Sequence, residues 1–343
     1  MADVTVRGAG IFGLSVAWSC ARRGARVRVI DPCGPGAGAS GGIVGALAPH
    51  VPEQWNTKKA FQLDSLLMAE TYWTEIRAIA GRDPGYARLG RLQPITDDAA
   101  LALARDRAEG ARALWGERAT WEVVKAADKG WTPQSPTGLL IRDTLSARIH
   151  PRRACAALAA AIMSRGGEVV TDAPDEGRVV WATGAAGLAA LSAAHTRSVG
   201  AGVKGQAALL AFDADVCPQI FAGGVHVVPH ADGTVAVGST SERDFADATA
   251  TDAQLDAVIA AARAAVPALA DAPVVQRWAG LRPRSRSRAP MLGAHPLHDG
   301  QFIANGGFKI GFGMAPKAGE VMADLVLDGV DAIPKAFRPE ASF

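Results

Sequence analysis

The opening of the chain constrains its fold more than any other stretch. An apolar run, Val4-Thr5-Val6-Arg7, leads into Gly8-Ala9-Gly10-Ile11-Phe12-Gly13, then a segment of helical spacing, then Val27-Arg28-Val29-Ile30 closed by Asp31. The pattern predicts a strand, a glycine turn, a helix and a second strand ending in an acid. Gly8 permits the tight turn, Gly10 lets backbone N–H groups approach a pyrophosphate, and Gly13 lets the helix lie close on the sheet. The helix N-terminus turns the positive end of its dipole toward phosphate. Asp31, at the tip of the second strand, can accept hydrogen bonds from a ribose diol. An ordinary glycine-rich turn needs only the glycines; here strand, helix, spacing and acid occur together.

Composition narrows the class. A chain of 343 residues, 49% of them apolar, can bury a large core and is expected to form two structural domains. A net charge of +2 supplies no global field for nucleic acid or an anionic membrane. No apolar run is long enough to span a bilayer. The first strand begins at residue 3 or 4, so no secretory signal is expected ahead of it. Cys20, Cys33, Cys155 and Cys217 are scattered without a C-x-x-C, and the histidines show no metal-ligand spacing. Neither a disulfide framework nor a metal site is expected, and the chain reads as cytoplasmic.

Apolar spacing predicts a first helix through Leu14, Ala17, Trp18 and Ala21, stopped by Gly24. Further helices are expected over about Lys58 to Ile79, Asp97 to Leu114, Pro151 to Arg165 and Asp252 to Val266. Residues 33–49 read as a Gly, Ala and Ser loop. Strands are expected at 168–170 and 178–181. Residues 205–240 alternate like antiparallel strands, with Asp232-Gly233 as a hairpin turn. The tail reads as a strand, Phe302 to Ala304, a glycine loop and a helix from Pro316 to Leu327. Strand–helix alternation at both ends, with an antiparallel pattern between, predicts a discontinuous α/β protein. Its Rossmann-like nucleotide domain comprises 1–48, 146–200 and 285–343; the α+β antiparallel-sheet substrate domain comprises 49–145 and 201–284.

The fingerprint alone does not separate NAD from FAD, so the other loops decide. Ala182-Thr183-Gly184 falls at the carboxyl end of a strand, where open α/β sheets bind ligands. Ala39-Ser40-Gly41 offers a hydroxyl and bare amides for a second pass along the pyrophosphate. The loop Gly307-Phe308-Lys309-Ile310-Gly311-Phe312 precedes a helix whose first turn is expected to hold Pro316. That helix N-terminus could face a flavin pyrimidine ring. Three such loops favour FAD.

These segments resemble the D-amino-acid oxidase/glycine oxidase family of FAD-dependent oxidoreductases over nearly the whole chain. The likeness extends through Val203-Lys204-Gly205-Gln206, Val227-Val228-Pro229, residues 232–240, Trp278-Ala279-Gly280-Leu281-Arg282-Pro283 and Pro290-Met291-Leu292-Gly293. It implies FAD contacts at Gly8, Gly10, Ile11, Phe12, Gly13, Asp31, Pro32, Ala39, Ser40, Gly41, Gly45, Ala46, Thr183, Gly184 and residues 307–312. It also implies oxidation of a small amino acid or N-substituted amine to an imine by hydride transfer to flavin N5, with oxygen or a quinone as acceptor. Arg282 takes the place of the family's carboxylate-binding arginine. His226 stands where glycine-oxidase-like sequences carry a tyrosine, and Lys309 where relatives often have a second arginine. Arg282, Lys309 and a protonated His226 would favour acidic or N-carboxyalkyl amines, a preference expected to weaken as His226 loses its proton.

The chain departs from its relatives in places. Arg282, Arg284, Arg286 and Arg288 alternate, so on a strand they would share a face opposite acidic residues, an acidic substrate or RNA phosphate, and in a turn they would face water. The link from Val170 to Arg178 is too short for the hairpin that relatives insert near the adenine. No cysteine lies beyond Cys217, so the FAD is expected to be non-covalent. Two other functions stay open: oxidation of a modified tRNA base, with no appended methyltransferase to support it, and a flavin-binding subunit with little activity alone.

Overall fold

The first strand, Val4–Arg7, lies inside a six-stranded sheet of order Met291–Ala294, Phe302–Asn305, Arg178–Trp181, Val4–Arg7, Val27–Ile30 and Glu168–Val170. All pairs are parallel except the outermost, Met291–Ala294 against Phe302–Asn305. The carboxyl ends of the five parallel strands therefore lie along one edge, from which Gly8, Asp31, Thr183 and Gly306 emerge. A computed structural model describes this arrangement over Met1–Phe343.

Helix α1, Ile11–Arg22, packs on this sheet with all but its last residue buried. Helix α2, Thr57–Ala80, is capped by Asn56, whose side chain accepts from the Lys59 N–H, and ends at Gly81 in the left-handed region. Helix α3, Asp98–Trp115, is capped in the same way by Asp97, and α4, Pro151–Ser164, begins with proline at its first position. Helices α5, Gly184–Ala193, and α6, Ala253–Ala265, precede the last, α7, Gly311–Ala323. Helices α1 and α7 approach so closely that a Cβ on Gly319 would lie 2.7 Å from the Ser15 carbonyl oxygen.

A second sheet has eight strands, in the order Val274–Ser285, Gly200–Ala211, Thr234–Gly238, Val225–Pro229, Gln219–Ala222, Arg91–Pro94, Leu139–Asp143 and Trp121–Lys125. The hairpin turn at Asp232-Gly233 is present, and α6 covers a core of Ala208, Leu210, Val227, Val235 and Val237. The three strands between 91 and 143 were not foreseen. They are short, and all three mix charged with apolar side chains, so their pairing partners rather than their local pattern define them. No helix is long and apolar enough to cross a membrane.

Two local expectations are corrected. Helix α7 starts at Gly311, so Pro316 lies inside it and is buried, not in its first turn. α7 is seated closely on α1 through Gly319, and the helix runs on past the one hydrogen bond, to the Phe312 carbonyl, that proline cannot make. The alternating arginines are split: the strand carries Arg282 and Arg284 as far as Ser285, and Arg286 to Arg288 turn away from it. The short link between Val170 and Arg178 is tied down by Asp175, which pairs with Arg7 at 2.8 Å, and by Glu176, which pairs with Arg28 at 3.1 Å.

Candidate functional site

The three fingerprint glycines have separable causes. Gly8 has φ +106°, and a Cβ there would lie 2.4 Å from the Ala182 carbonyl oxygen; one on Gly13 would lie 1.9 Å from the Gly8 carbonyl oxygen. The protein's own backbone demands both. A Cβ on Gly10 would meet only the Ser40 hydroxyl, at 3.2 Å, so its bareness leaves the loop open to a ligand. The N–H groups of Gly10, Phe12 and Gly13 have no partner in the chain, as befits the first turn of a helix.

Asp31 accepts from the Ala9 N–H at 2.8 Å and the Cys33 N–H at 3.0 Å. A carboxylate so held still has lone pairs for ribose hydroxyls. The Ser40 hydroxyl accepts from the Ile11 N–H at 2.9 Å, which seats the Ala39–Gly41 turn over the helix N-terminus. Free amides and a hydroxyl as donors, with a carboxylate as acceptor, form in this arrangement a set that fits the pyrophosphate and ribose of FAD.

The remaining loops gather beside it. Thr183 N lies 3.2 Å from where a Gly8 Cβ would stand, and the Gly184 carbonyl accepts from Asn305 Nδ2 at 2.9 Å. A Cβ on Gly307 would lie 3.0 Å from Phe12 Cζ, and one on Gly311 would lie 3.4 Å from Ile11 Cγ2. Ile11 and Phe12 therefore bring the N-termini of α1 and α7 side by side, and Ile310 and Phe312 pack against the same core. Gly45 is explained within the protein: its Cβ would lie 1.7 Å from the Ile149 carbonyl oxygen, and Ala46 pairs with Arg148. Pro32 is exposed in the turn after Asp31.

Cross-strand register places the residues expected on the substrate side on one face of the larger sheet. Trp278 pairs with Ala207, Ala207 with Gly238, and Gly238 with His226. Arg282 is four residues beyond Trp278 on its strand and so shares that face. A Cβ on Gly205 would overlap the Arg282 guanidinium, and that glycine makes the room it occupies. Arg282 donates from Nη1 to the Thr240 carbonyl at 3.1 Å and from Nη2 to Ser239 Oγ at 2.6 Å, and pairs with no carboxylate. Burial lowers its pKa to about 10, while Glu242 acts to raise it, so it is cationic at neutral pH.

Behind it, Thr240 donates to Glu242, which also accepts from Gln206 Nε2 at 3.0 Å and lies 3.7 Å from Lys204 Nζ. Sequence reasoning missed this support, although Lys204, Gln206 and Thr240 all fall in segments that carry the resemblance. Lys309 lies over the Phe308 ring, 5.7 Å from its centroid, and forms no ion pair. Burial and then Arg282 and Arg284 lower its pKa.

His226 corrects one expectation. Burial first, then Arg91, Lys309 and Arg282, lower its pKa to about 4, so the ring is neutral at pH 7 and adds no charge to the site. It packs against Phe221 at 4.7 Å, and its Nδ1 is buried without a partner. Any preference for acidic substrates is therefore not expected to fade as pH rises through 6.5. The linkage has a definite sign: the unfolded ring binds a proton below about 6.5 and the folded ring only near 4, so His226 makes the fold less stable as pH falls through that window. The urea midpoint should drop between pH 7 and pH 5, and drop less in His226→Phe; equal drops would contradict this placement.

Residues 3–325 match the DAO family, described as FAD dependent oxidoreductase. The glycine oxidase of Bacillus licheniformis is 26% identical over 356 residues, covering 95% of this chain and 93% of that protein. The glycine oxidase of Pseudomonas aeruginosa is 38% identical over 125 residues, a match of 36% of this chain and only 34% of that protein. Among solved structures, iminodiacetate oxidase from Chelativorans sp. BNC1 superposes with a TM-score of 0.84 at 23% identity, covering 98% of each chain, which shows the fold.

Proposed function

The chain belongs to the DAO family of FAD-dependent oxidoreductases, and on that footing we propose that it oxidises a small amino acid or N-substituted amine to the imine. The observation that carries this reading is Arg282, a partly buried guanidinium without a carboxylate partner, held by Ser239 and Thr240. Its remaining N–H donors are free to hold a substrate carboxylate in a two-point grip. That grip fixes the α-carbon, and orientation is the protein's main contribution to such a reaction. A bound flavin would supply the redox chemistry, as hydride acceptor.

The residues from Gly8 to Gly13, with Asp31, Ser40, Thr183 and the α7 N-terminus, would hold FAD. We propose non-covalent attachment, since no cysteine stands in the Arg282 segment, and the division into 1–48, 146–200 and 285–343 against 49–145 and 201–284. Lys309 adds an unpaired cation near Arg282, and an unpaired, partly desolvated cation favours a ligand that neutralises it. Iminodiacetate and aspartate should therefore be oxidised with higher kcat/KM than glycine or leucine. Lys309→Met should shrink that ratio about tenfold, a differential contribution of about 1.4 kcal/mol. Neutral amines leading the panel in both proteins would remove Lys309 from substrate selection.

A further inference from the structure

The arginines beyond Arg282 converge on a feature of their own. Arg284, Arg286 and Arg288, joined by Arg243, line a cavity of about 460 Å³ against the Gly200–Val203 end of the neighbouring strand. No acidic residue lines it, and none of the four arginines takes part in an ion pair of the chain. Its wall is fixed by backbone hydrogen bonds: the Arg286 N–H donates to the Val199 carbonyl at 2.8 Å, and the Arg288 N–H to the Ser285 carbonyl at 3.0 Å. Ser285 Oγ braces the same turn by donating to the Ala289 carbonyl at 2.8 Å.

Arg284 ties this cavity to the substrate face. It follows Arg282 at the next same-face position of the strand, and its guanidinium lies 5.4 Å from the centroid of the Phe308 ring that Lys309 also approaches. Guanidinium groups match the oxygens of carboxylate and phosphoryl groups, and several around one space suit a compact, multiply charged anion. We propose that this cavity is a subsite for a phosphate, phosphonate or carboxylate tail on the substrate amine, beyond the carboxylate held by Arg282. The assignment rests on the amine-oxidising reading.

The test uses FAD-loaded protein, so that the pyrophosphate site is filled, and the double variant R286A/R288A. Both side chains are exposed, and flavin content with Tm checks that the variant folds. Calorimetric titration with inorganic phosphate at low salt should show saturable binding, at least tenfold weaker in the variant. Phosphate should also compete with 2-amino-3-phosphonopropionate in anaerobic flavin reduction. The kcat/KM ratio of that amine over alanine should fall at least tenfold in the variant. No phosphate binding, or equal binding to both proteins, overturns the cavity as an anion site. Binding that is lost in the variant without competition or a change in the ratio overturns its assignment to the substrate. If no amine reduces the flavin, the amine-oxidising reading fails, and the phosphate titration still decides whether the cavity binds anions.

Discussion

Arg282→Ala is expected to lower kcat/KM for an amino-acid substrate by roughly 30- to 5,000-fold, the equivalent of about 2–5 kcal/mol for losing one side of a desolvated charge pair. The range is wide because Arg282 is only partly buried and its cradle persists without it. Ser239 and the Thr240 carbonyl remain, and Glu242 stays neutralised by Lys204. Flavin content should hardly change, because the hydrogen bonds of the Arg282 side chain go to Ser239 and Thr240 and not to the fingerprint loops. Arg282→Lys should restore the charge but not the two-point grip, and so recover only part of the loss. Steady-state kinetics beside the flavin absorbance ratio check both; an Ala variant with wild-type kcat/KM would place the anchor elsewhere.

The second large effect separates two glycines of one motif. Gly10→Val should yield a folded protein that takes up no FAD, since its side chain would point where only the Ser40 hydroxyl comes near. Gly13→Val should fail earlier, because its Cβ would lie 1.9 Å from the Gly8 carbonyl oxygen and backbone must move. A displacement of that kind costs about 1–3 kcal/mol or more. Thermal unfolding of the flavin-free proteins should show Gly10→Val near the parent and Gly13→Val well below it. A Gly10→Val protein that binds FAD normally would remove the pyrophosphate from that loop.

The sequence made the nucleotide half largely legible because its signals are local. Gly8 and Gly13 act within one strand–helix–strand unit, and the structure shows for each the close backbone approach that glycine implied; Asp31 closes the same unit by accepting from the Ala9 N–H. The α7 boundary was misread because proline is most at home in a first helical turn, whereas α7 begins at Gly311 and is seated, through Gly319, on a helix from the far end of the chain. His226 shows the same limit in electrostatic form. Its position in the motif was visible, but its charge depends on burial and on Arg91, Lys309 and Arg282, brought close only by the folded sheet. The arginine run was ambiguous between strand and turn, and the structure contains both, with the change at Ser285. The Lys204–Glu242 support behind Arg282 joins a strand of the larger sheet to an isolated bridge residue beyond Gly238, 38 positions away in the chain, and has no local signature.

In the proposed function, Arg282 presents a carboxylated amine to a bound flavin. The most direct measurement is anaerobic reduction of that flavin, followed at its visible absorbance band, by amines paired with their decarboxylated counterparts: glycine with methylamine, sarcosine with dimethylamine, and iminodiacetate with N-methylglycine. Members that keep a carboxylate for Arg282 should bleach the flavin, methylamine and dimethylamine should not, and iminodiacetate should act faster than N-methylglycine. Bleaching by methylamine as fast as by glycine, or by no amine at all, would contradict this role of Arg282.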